Sequence, residues 1–310
     1  MSFIQLSFLA LLGFSALAVI VLYWIRPVFA GLASVLLVAA LAWVFWFEPR
    51  SLAINHLLLE VPDLHAPVRI VAIGDPQPNM FHWPPHRLKW AFKKADGLEP
   101  DIVLWLGDYV YDSNALHRLG IRDWVFVEPT SVIEAMASID APMGSYAILG
   151  NHDWWWNGPE VARLIEQTHI RLLIDEAAYA QHPDTGASLW IAGLDDISTP
   201  RQTNVPAVLS QTDSRAPTII LSHSPDIFPR IPEGPALTLS GYTHCGQVYI
   251  PGVGRPYVPI RYPQYACGLV EEAGKRLYVT SGIGTAVLPV RFLTMPEIVM
   301  IDLRPTAPAN

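Results

Sequence analysis

Ala147-Ile148-Leu149-Gly150-Asn151-His152-Asp153 is an apolar run that ends in glycine and then offers an amide, an imidazole and a carboxylate in succession. A short apolar run of this kind reads as a buried strand, so the polar trio falls in the turn beyond its C-terminal end, where open α/β sheets carry their chemistry. The same punctuation recurs at Ile73-Gly74-Asp75, Leu106-Gly107-Asp108, Leu221-Ser222-His223 and Ser240-Gly241-Tyr242-Thr243-His244-Cys245-Gly246-Gln247. Five strand ends with donor side chains are hard to explain as packing. They predict one site, assembled where the strands stop.

Around these anchors the pattern is βαβ first and mostly β later. Strands are expected at 68–73, 102–106, 145–149 and 172–174, with helices at 84–95, about 131–139 and 160–167. After residue 174 come strands at 189–193, 218–221, 237–240, 248–250, 277–280 and 298–303, joined mainly by loops, in keeping with 28 prolines. The fold class that follows is α/β: a two-sheet sandwich flanked by helices. It spans 68–303, preceded by a linker and edge strand at 51–67 and followed by a disordered tail at 304–310.

The first fifty residues differ in kind. Residues 3–25 are apolar apart from Gln5, Ser7 and Ser15, and residues 28–47 apart from Ser34. Each run is about the ~20 residues a helix needs to cross a bilayer, and together they are too long for one span. A turn at Arg26-Pro27 therefore makes 1–50 a transmembrane two-helix hairpin, with Tyr23, Trp24, Trp43 and Trp46 at interfacial positions. A cleaved signal peptide fits poorly, because no basic stretch precedes the apolar run. Arg26 and Arg50 leave the charge rule for orientation tied.

The net charge of −8 and the scattered basic residues exclude a nucleic-acid surface, which must neutralise phosphates. No protein partner is indicated. Cys245 and Cys267 can form at most one pair, and two free thiols are the expectation.

Asp75, Asp108, Asn151, His223 and His244 are the oxygen and imidazole donors that divalent metals select, and their spread over several strand ends suits a two-metal site with a shared carboxylate. With these residues in view the chain resembles the calcineurin-like metallophosphoesterase superfamily, in particular its bacterial branch with an N-terminal membrane anchor (the YaeI type). That family carries Asp-x-His, Gly-Asp, Gly-Asn-His-Asp, a lone His after a strand, and Gly-His-Thr-His-Gly-Gly-Gln. The resemblance runs from about residue 68 to 303 and includes Trp154, Pro225-Asp226-Ile227, Pro289-Val290-Arg291-Phe292 and Pro296-Glu297-Ile298.

The resemblance implies two divalent ions (manganese, iron or zinc). Asp75 and His244 would hold one and Asn151 with His223 the other, and Asp108 would bridge them. His152 would serve as proton donor to the leaving oxygen or as a phosphate contact, oriented by Asp153, in a hydrolysis by metal-hydroxide attack. The chain departs from the pattern at Gln77, which replaces the His of Asp-x-His, at Tyr242, which replaces the first His of Gly-His-Thr-His, and at Cys245, which replaces a Gly. Gln77 and Tyr242 are thus candidate substitute ligands, and Tyr111, three residues after Asp108, is weighed as a further ligand against an ordinary packing role. His82 and His86 are expected in a lid or on the surface. Trp154-Trp155-Trp156 would face the membrane or pack around the site mouth.

The implied activity is hydrolysis of a phosphodiester or pyrophosphate on a lipid-linked substrate. Relatives in the superfamily split UDP-diacylglucosamine, and a glycerophospholipid diester fits equally. The implied place is the bacterial plasma membrane, as a multi-pass protein with a lean toward a cytoplasmic domain. The alternative is a non-catalytic or single-metal membrane-tethered binding protein on the same scaffold.

Overall fold

Two six-stranded sheets lie face to face in the computed structural model of the chain, which describes residues 13, 15–21, 27–111, 126–286 and 288–306. The first contains β1 (Ala53–Val61), β2 (Val68–Ile73), β3 (Ile102–Trp105), β4 (Ser145–Ala147), β5 (Arg171–Leu172) and β12 (Glu297–Pro305), in the order β1-β12-β2-β3-β4-β5. The second contains β6 (Glu176–Gln181), β7 (Ser188–Gly193), β8 (Thr218–Leu221), β9 (Leu237–Ser240), β10 (Gly268–Glu272) and β11 (Lys275–Val279), in the order β10-β11-β9-β8-β7-β6.

Strands β2 to β5 run parallel, as do β7, β8, β9 and β11. Parallel strands buried on both faces need continuous apolar sequence, and Ile102–Trp105 and Thr218–Leu221 are fully buried. Ile70, Leu104 and Ile148 from one sheet pack against Leu189, Ile219 and Leu239 from the other. On the outer face of the first sheet lie α2 (Pro85–Asp96), α3 (Pro129–Met136) and α4 (Asn151–Glu166); α2 buries Leu88, Ala91, Phe92 and Ala95 at helical spacing. Helix α5 (Val205–Leu209) covers the outer face of the second sheet.

The sheets meet at the C-terminal ends of their parallel strands. There the Ile283 N–H donates to Gly74 O (3.1 Å), and the Gly284 N–H donates to Asp75 O (2.7 Å). This shared edge is where all five polar turns of the sequence converge.

Several expectations are corrected. Helix α4 begins at Asn151, not at residue 160, and only Asn157 (φ −172°, ψ 81°), just ahead of Pro159, breaks it. The 248–250 run forms no strand and makes single bridges to Phe292 and Gly254. Arg304 and Pro305, placed in a tail, continue β12 and pair with Glu60 and Val61 of β1; residues 307–310 lie outside the described residues. Strand β6 was unforeseen because Glu-Ala-Ala-Tyr-Ala-Gln is poor in the β-branched residues that signal strands. Cys245 and Cys267 are not free thiols: a disulfide joins them, with Cα atoms 4.7 Å apart. Sequence spacing could not show that the turn after β9 and the start of β10 lie side by side.

Of the two apolar runs of the first fifty residues, the second is a helix: α1 (Pro27–Ala42) continues through a π-helical turn (Trp43–Phe47) and a 3-10 turn (Glu48–Arg50). It is the one helix among the described residues that is long and apolar enough to cross a membrane, at 24 residues over Pro27–Arg50. Residues 15–21 are helical as well. The rest of the first run and the turn at Arg26 lie outside the described residues.

Candidate metal centre

The turn after each central strand delivers one donor. Asp75 follows β2, Asp108 follows β3, Asn151 opens α4 after β4, His223 follows β8, and Tyr242 and His244 follow β9. All are buried or nearly so, and ligand atoms of Asp75, Asp108 and His223 lie within 4.8 Å of one another. The backbone is bent hard to do this. Asp75 (φ 49°), Gln77 (31°), Asp108 (62°), Tyr242 (69°) and His244 (48°) all occupy the left-handed region, which non-glycine residues rarely adopt and which collects at functional sites. Two glycines make room. A Cβ on Gly150 would sit 2.2 Å from Asp108 Oδ1, and one on Gly107 (φ +92°) would meet Gly150 N at 2.6 Å.

The carboxylate of Asp108 faces two ways. Its Oδ1 accepts the His152 N–H (2.9 Å) and lies 3.4 Å from His223 Nε2, while its Oδ2 accepts the amide of Gln77 (2.7 Å). On one side His223 Nε2 is 3.1 Å from Asn151 Oδ1, with the ring fixed by Nδ1 donating to Leu106 O (2.7 Å). That backbone contact leaves Nε2 as the working nitrogen. On the other side His244 Nε2 is 3.7 Å from Asp75 Oδ1. The structure thus brings Asp75, Gln77, Asp108, Asn151, His223 and His244 into one cluster of two halves.

Two buried oxygens in that cluster, Asp75 Oδ2 and Gln77 Oε1, have no hydrogen-bond partner among the described residues. Burying unpaired oxygens is costly, and a divalent cation is the partner such a donor set fits. Burial, together with the charge of Asp108, pushes the Asp75 carboxyl up to about 7, a shift that a bound cation would reverse. Burial and the neighbouring charge of Arg291 hold the His244 imidazole well below its usual range, which keeps it neutral and able to ligate. Gln77 therefore fits as an oxygen donor through Oε1, because its Nε2 is committed to Asp108.

Tyr242 enters differently. Its N–H donates to Asp75 Oδ1 (3.0 Å) and its ring stands edge-on to His223, centroids 5.5 Å apart. Burial, with the charge of Asp196, pushes its phenol up to about 12, away from the phenolate that a metal would require. Tyr111 is buried and its phenol is likewise pushed up to about 12 by burial.

Asp153 is a hub for the backbone: its carboxylate accepts four backbone N–H groups, those of Asp108 (2.8 Å), Tyr109 (2.8 Å), Val110 (3.1 Å) and Gly150 (2.9 Å). It is the third residue of α4 and ties the Asp108 turn to the start of that helix. His152 is buried, its ring 4.9 Å from the exposed ring of Trp155. Trp154 lies under Arg201 (3.6 Å) and Trp156 packs on Phe126 (6.2 Å). His82 faces the end of the apolar helix, with Nε2 2.8 Å from Phe45 O.

Arg291, given no role from sequence, is fully buried beside the centre. Its guanidinium donates to the carbonyls of Ser281 (2.7 Å), Gly282 (3.2 Å), Gly284 and Thr294 (3.2 Å), and Nη2 lies 3.5 Å from His244 Nδ1. The only hint in the sequence is a lone arginine inside the apolar run Leu288-Pro289-Val290-Arg291-Phe292.

Comparison with known proteins agrees with this geometry. The sequence profile of calcineurin-like phosphoesterases matches residues 68–236, more than half of the chain. The chain is 29% identical to the phosphodiesterase YaeI of Escherichia coli over 83% of its own length and 88% of that protein. It is 28% identical to the uncharacterized metallophosphoesterase YkuE of Bacillus subtilis over 71% and 73%. To the UDP-2,3-diacylglucosamine pyrophosphatase LpxG of Chlamydia trachomatis it is 24% identical over 88% and 96%. The chain belongs to the calcineurin-like phosphoesterase family and is a hydrolase of phosphoester bonds.

Proposed function

We propose that the chain is a membrane-anchored metallophosphoesterase that hydrolyses a phosphodiester or pyrophosphate carried by a lipid. The observation that carries this reading is a buried two-part donor cluster with unpaired oxygens on Asp75 and Gln77, in a domain that continues directly from a 24-residue apolar helix. Asp75, Gln77 and His244 would hold one divalent ion, Asn151 and His223 a second, and Asp108 would serve both. Such ions supply Lewis acidity toward phosphoryl oxygens and make water acidic enough to attack near neutral pH.

The chain's own residues do the rest. His223, locked by Leu106 O, holds one half of the cluster in register. His152, beside Trp155, would give a proton to the departing alkoxide or phosphate oxygen. The exposed Trp155 ring offers an apolar face to the substrate next to that proton.

The Cys245–Cys267 disulfide supports an oxidising compartment for the domain, against the lean toward the cytoplasm. A nucleotide-linked lipid such as UDP-diacylglucosamine is made where nucleotides are. An outward-facing domain therefore favours phospholipid headgroups and lipid-linked phosphates. In intact cells, a membrane-impermeant maleimide should label neither cysteine before reduction and the half-buried Cys267 after it, Cys245 being buried. Closing a loop with a sequence separation of 22 is worth about 3 kcal/mol, so Cys245→Ser should lower unfolding stability by that much.

The test of function is kinetic, on the full chain in mixed micelles with added manganese. Holding enzyme and lipid on one surface raises their effective concentration, so kcat/KM for a diacylglycerol phosphodiester should exceed that for soluble bis-p-nitrophenyl phosphate by about tenfold or more. Equal turnover of both, unchanged by lipid, would remove the lipid from the proposal and leave a general phosphodiesterase.

A further inference from the structure

The end of the apolar helix is clamped to the domain. Trp43 Nε1 donates to Glu48 Oε2 (2.8 Å), and the Thr294 N–H donates to Glu48 Oε1 (2.7 Å), so a buried carboxylate ties helix to loop. The Arg291 N–H donates to Val44 O (3.0 Å) and Trp83 Nε1 donates to Pro49 O (2.9 Å). Arg50 donates to Phe81 O (2.5 Å). Two loops, residues 79–83 and 291–296, are therefore fixed on either side of the helix end. The first follows Gln77 by two residues, and the second starts at the arginine that backs His244.

Both loops carry large apolar side chains outward. Met80, Phe81, Leu293 and Met295 are each more than half exposed. Asn79 Oδ1 accepts the N–H groups of Phe81 (3.1 Å) and His82 (2.8 Å), which holds the first tip in shape. Leu293 sits at φ 51°, a conformation that side chains branched at Cγ rarely adopt, and is held there between Arg291 and Thr294. Apolar tips fixed so firmly are costly in water.

The surroundings say what covers them. The exposed face of α1, with Val28, Leu32, Val35 and Leu36, runs into this patch through the exposed rings of Trp43 and Trp46. Arg50 lies over Trp46 (4.4 Å), and Arg87 (5.4 Å) and Lys94 (5.0 Å) lie over the exposed Trp90. Aromatic rings paired with basic side chains belong at the headgroup level of a bilayer.

We propose that Met80, Phe81, Leu293 and Met295 form a wedge that enters the interfacial layer of the bilayer spanned by α1, so that the loops next to Gln77 and His244 are held against lipid headgroups. The wedge rests on reading α1 as a membrane span, and the experiment tests that reading separately.

Because the two native cysteines are paired, single cysteines introduced by Phe81→Cys, Leu293→Cys, Val35→Cys and Asp184→Cys can carry a nitroxide on the full chain. Asp184 lies in the exposed turn between β6 and β7 and serves as the aqueous reference. In nanodiscs of phosphatidylethanolamine and phosphatidylglycerol, power saturation compares collision with oxygen, which enters hydrocarbon, against a nickel chelate, which stays in water. The expected oxygen-to-nickel ratio at positions 81 and 293 is severalfold above that at 184 and approaches that at 35. Nickel access at 81 and 293 equal to that at 184, with 35 protected, would overturn the wedge and leave the span standing. Exclusion of both reagents at 81 and 293 would overturn it too, since protein, either the first apolar run or a second copy, would then cover the patch. Nickel access at 35 would remove the span itself. Met80→Cys and Met295→Cys repeat the measurement should either first label disturb its loop.

Discussion

Replacing Asp108 with alanine should lower kcat/KM on bis-p-nitrophenyl phosphate by on the order of a thousandfold, a loss of about 4 kcal/mol of transition-state stabilisation. The reason is the division of labour in one carboxylate: Oδ1 faces His223 and Oδ2 faces Gln77, so both halves of the cluster lose a charge together. Metal content, read by elemental analysis, should fall with activity, and chelation of the wild type should reproduce the defect and be reversed by manganese. A milder loss distinguishes positions that serve one half only, such as Gln77→Ala, whose Oε1 is a neutral donor. Should the Asp108→Ala protein keep its full metal content and fall less than tenfold in kcat/KM, Asp108 is not the shared ligand.

Asp153→Ala should instead act on the fold, lowering unfolding stability by about 4 kcal/mol or more. Four backbone N–H groups converge on that carboxylate in a fully buried place, and each buried donor left unpaired costs about 1–3 kcal/mol. Cooperative collapse of the turn is what keeps the sum from simple addition. Chemical denaturation of the two variants Asp153→Ala and His152→Ala separates scaffold from chemistry. His152→Ala should lose about 10²–10⁴-fold in kcat, the usual worth of a general acid, while its denaturation midpoint stays close to wild type. Equal loss of stability in both would mean that His152 is part of the same brace.

Much of this was written in the chain. The strands that end in Asp75, Asp108, Asn151 and His223 announced themselves because parallel strands between two layers must be apolar throughout, and a polar residue at their end has no packing reason to be there. What stayed hidden depends on distance across the fold. The tie of Asp153 to the 108–110 turn joins residues more than forty positions apart, and Arg291 reaches His244 from 47 positions away. Local composition carries no trace of either contact. The pairing of Cys245 with Cys267 likewise required knowing that β10 begins beside the turn after β9. Strand β6 failed for the opposite reason: its alanines are locally ambiguous, and only its place at the edge of the second sheet, paired with β7, makes them a strand.

The position of β12 has a consequence for how the molecule is made. This last strand does not add to an edge but lies between β1 and β2, parallel to the first and antiparallel to the second. Residues 297–305 lie far along the chain from β1 and β2, so until they are in place nothing bridges those two strands. The strand that leads to the Asp75 turn is thus flanked on one side by β3, close in sequence, and on the other by a strand that is remote. The donor turn after β2 is therefore expected to take its final form late in folding, once β12 has paired with both of its neighbours.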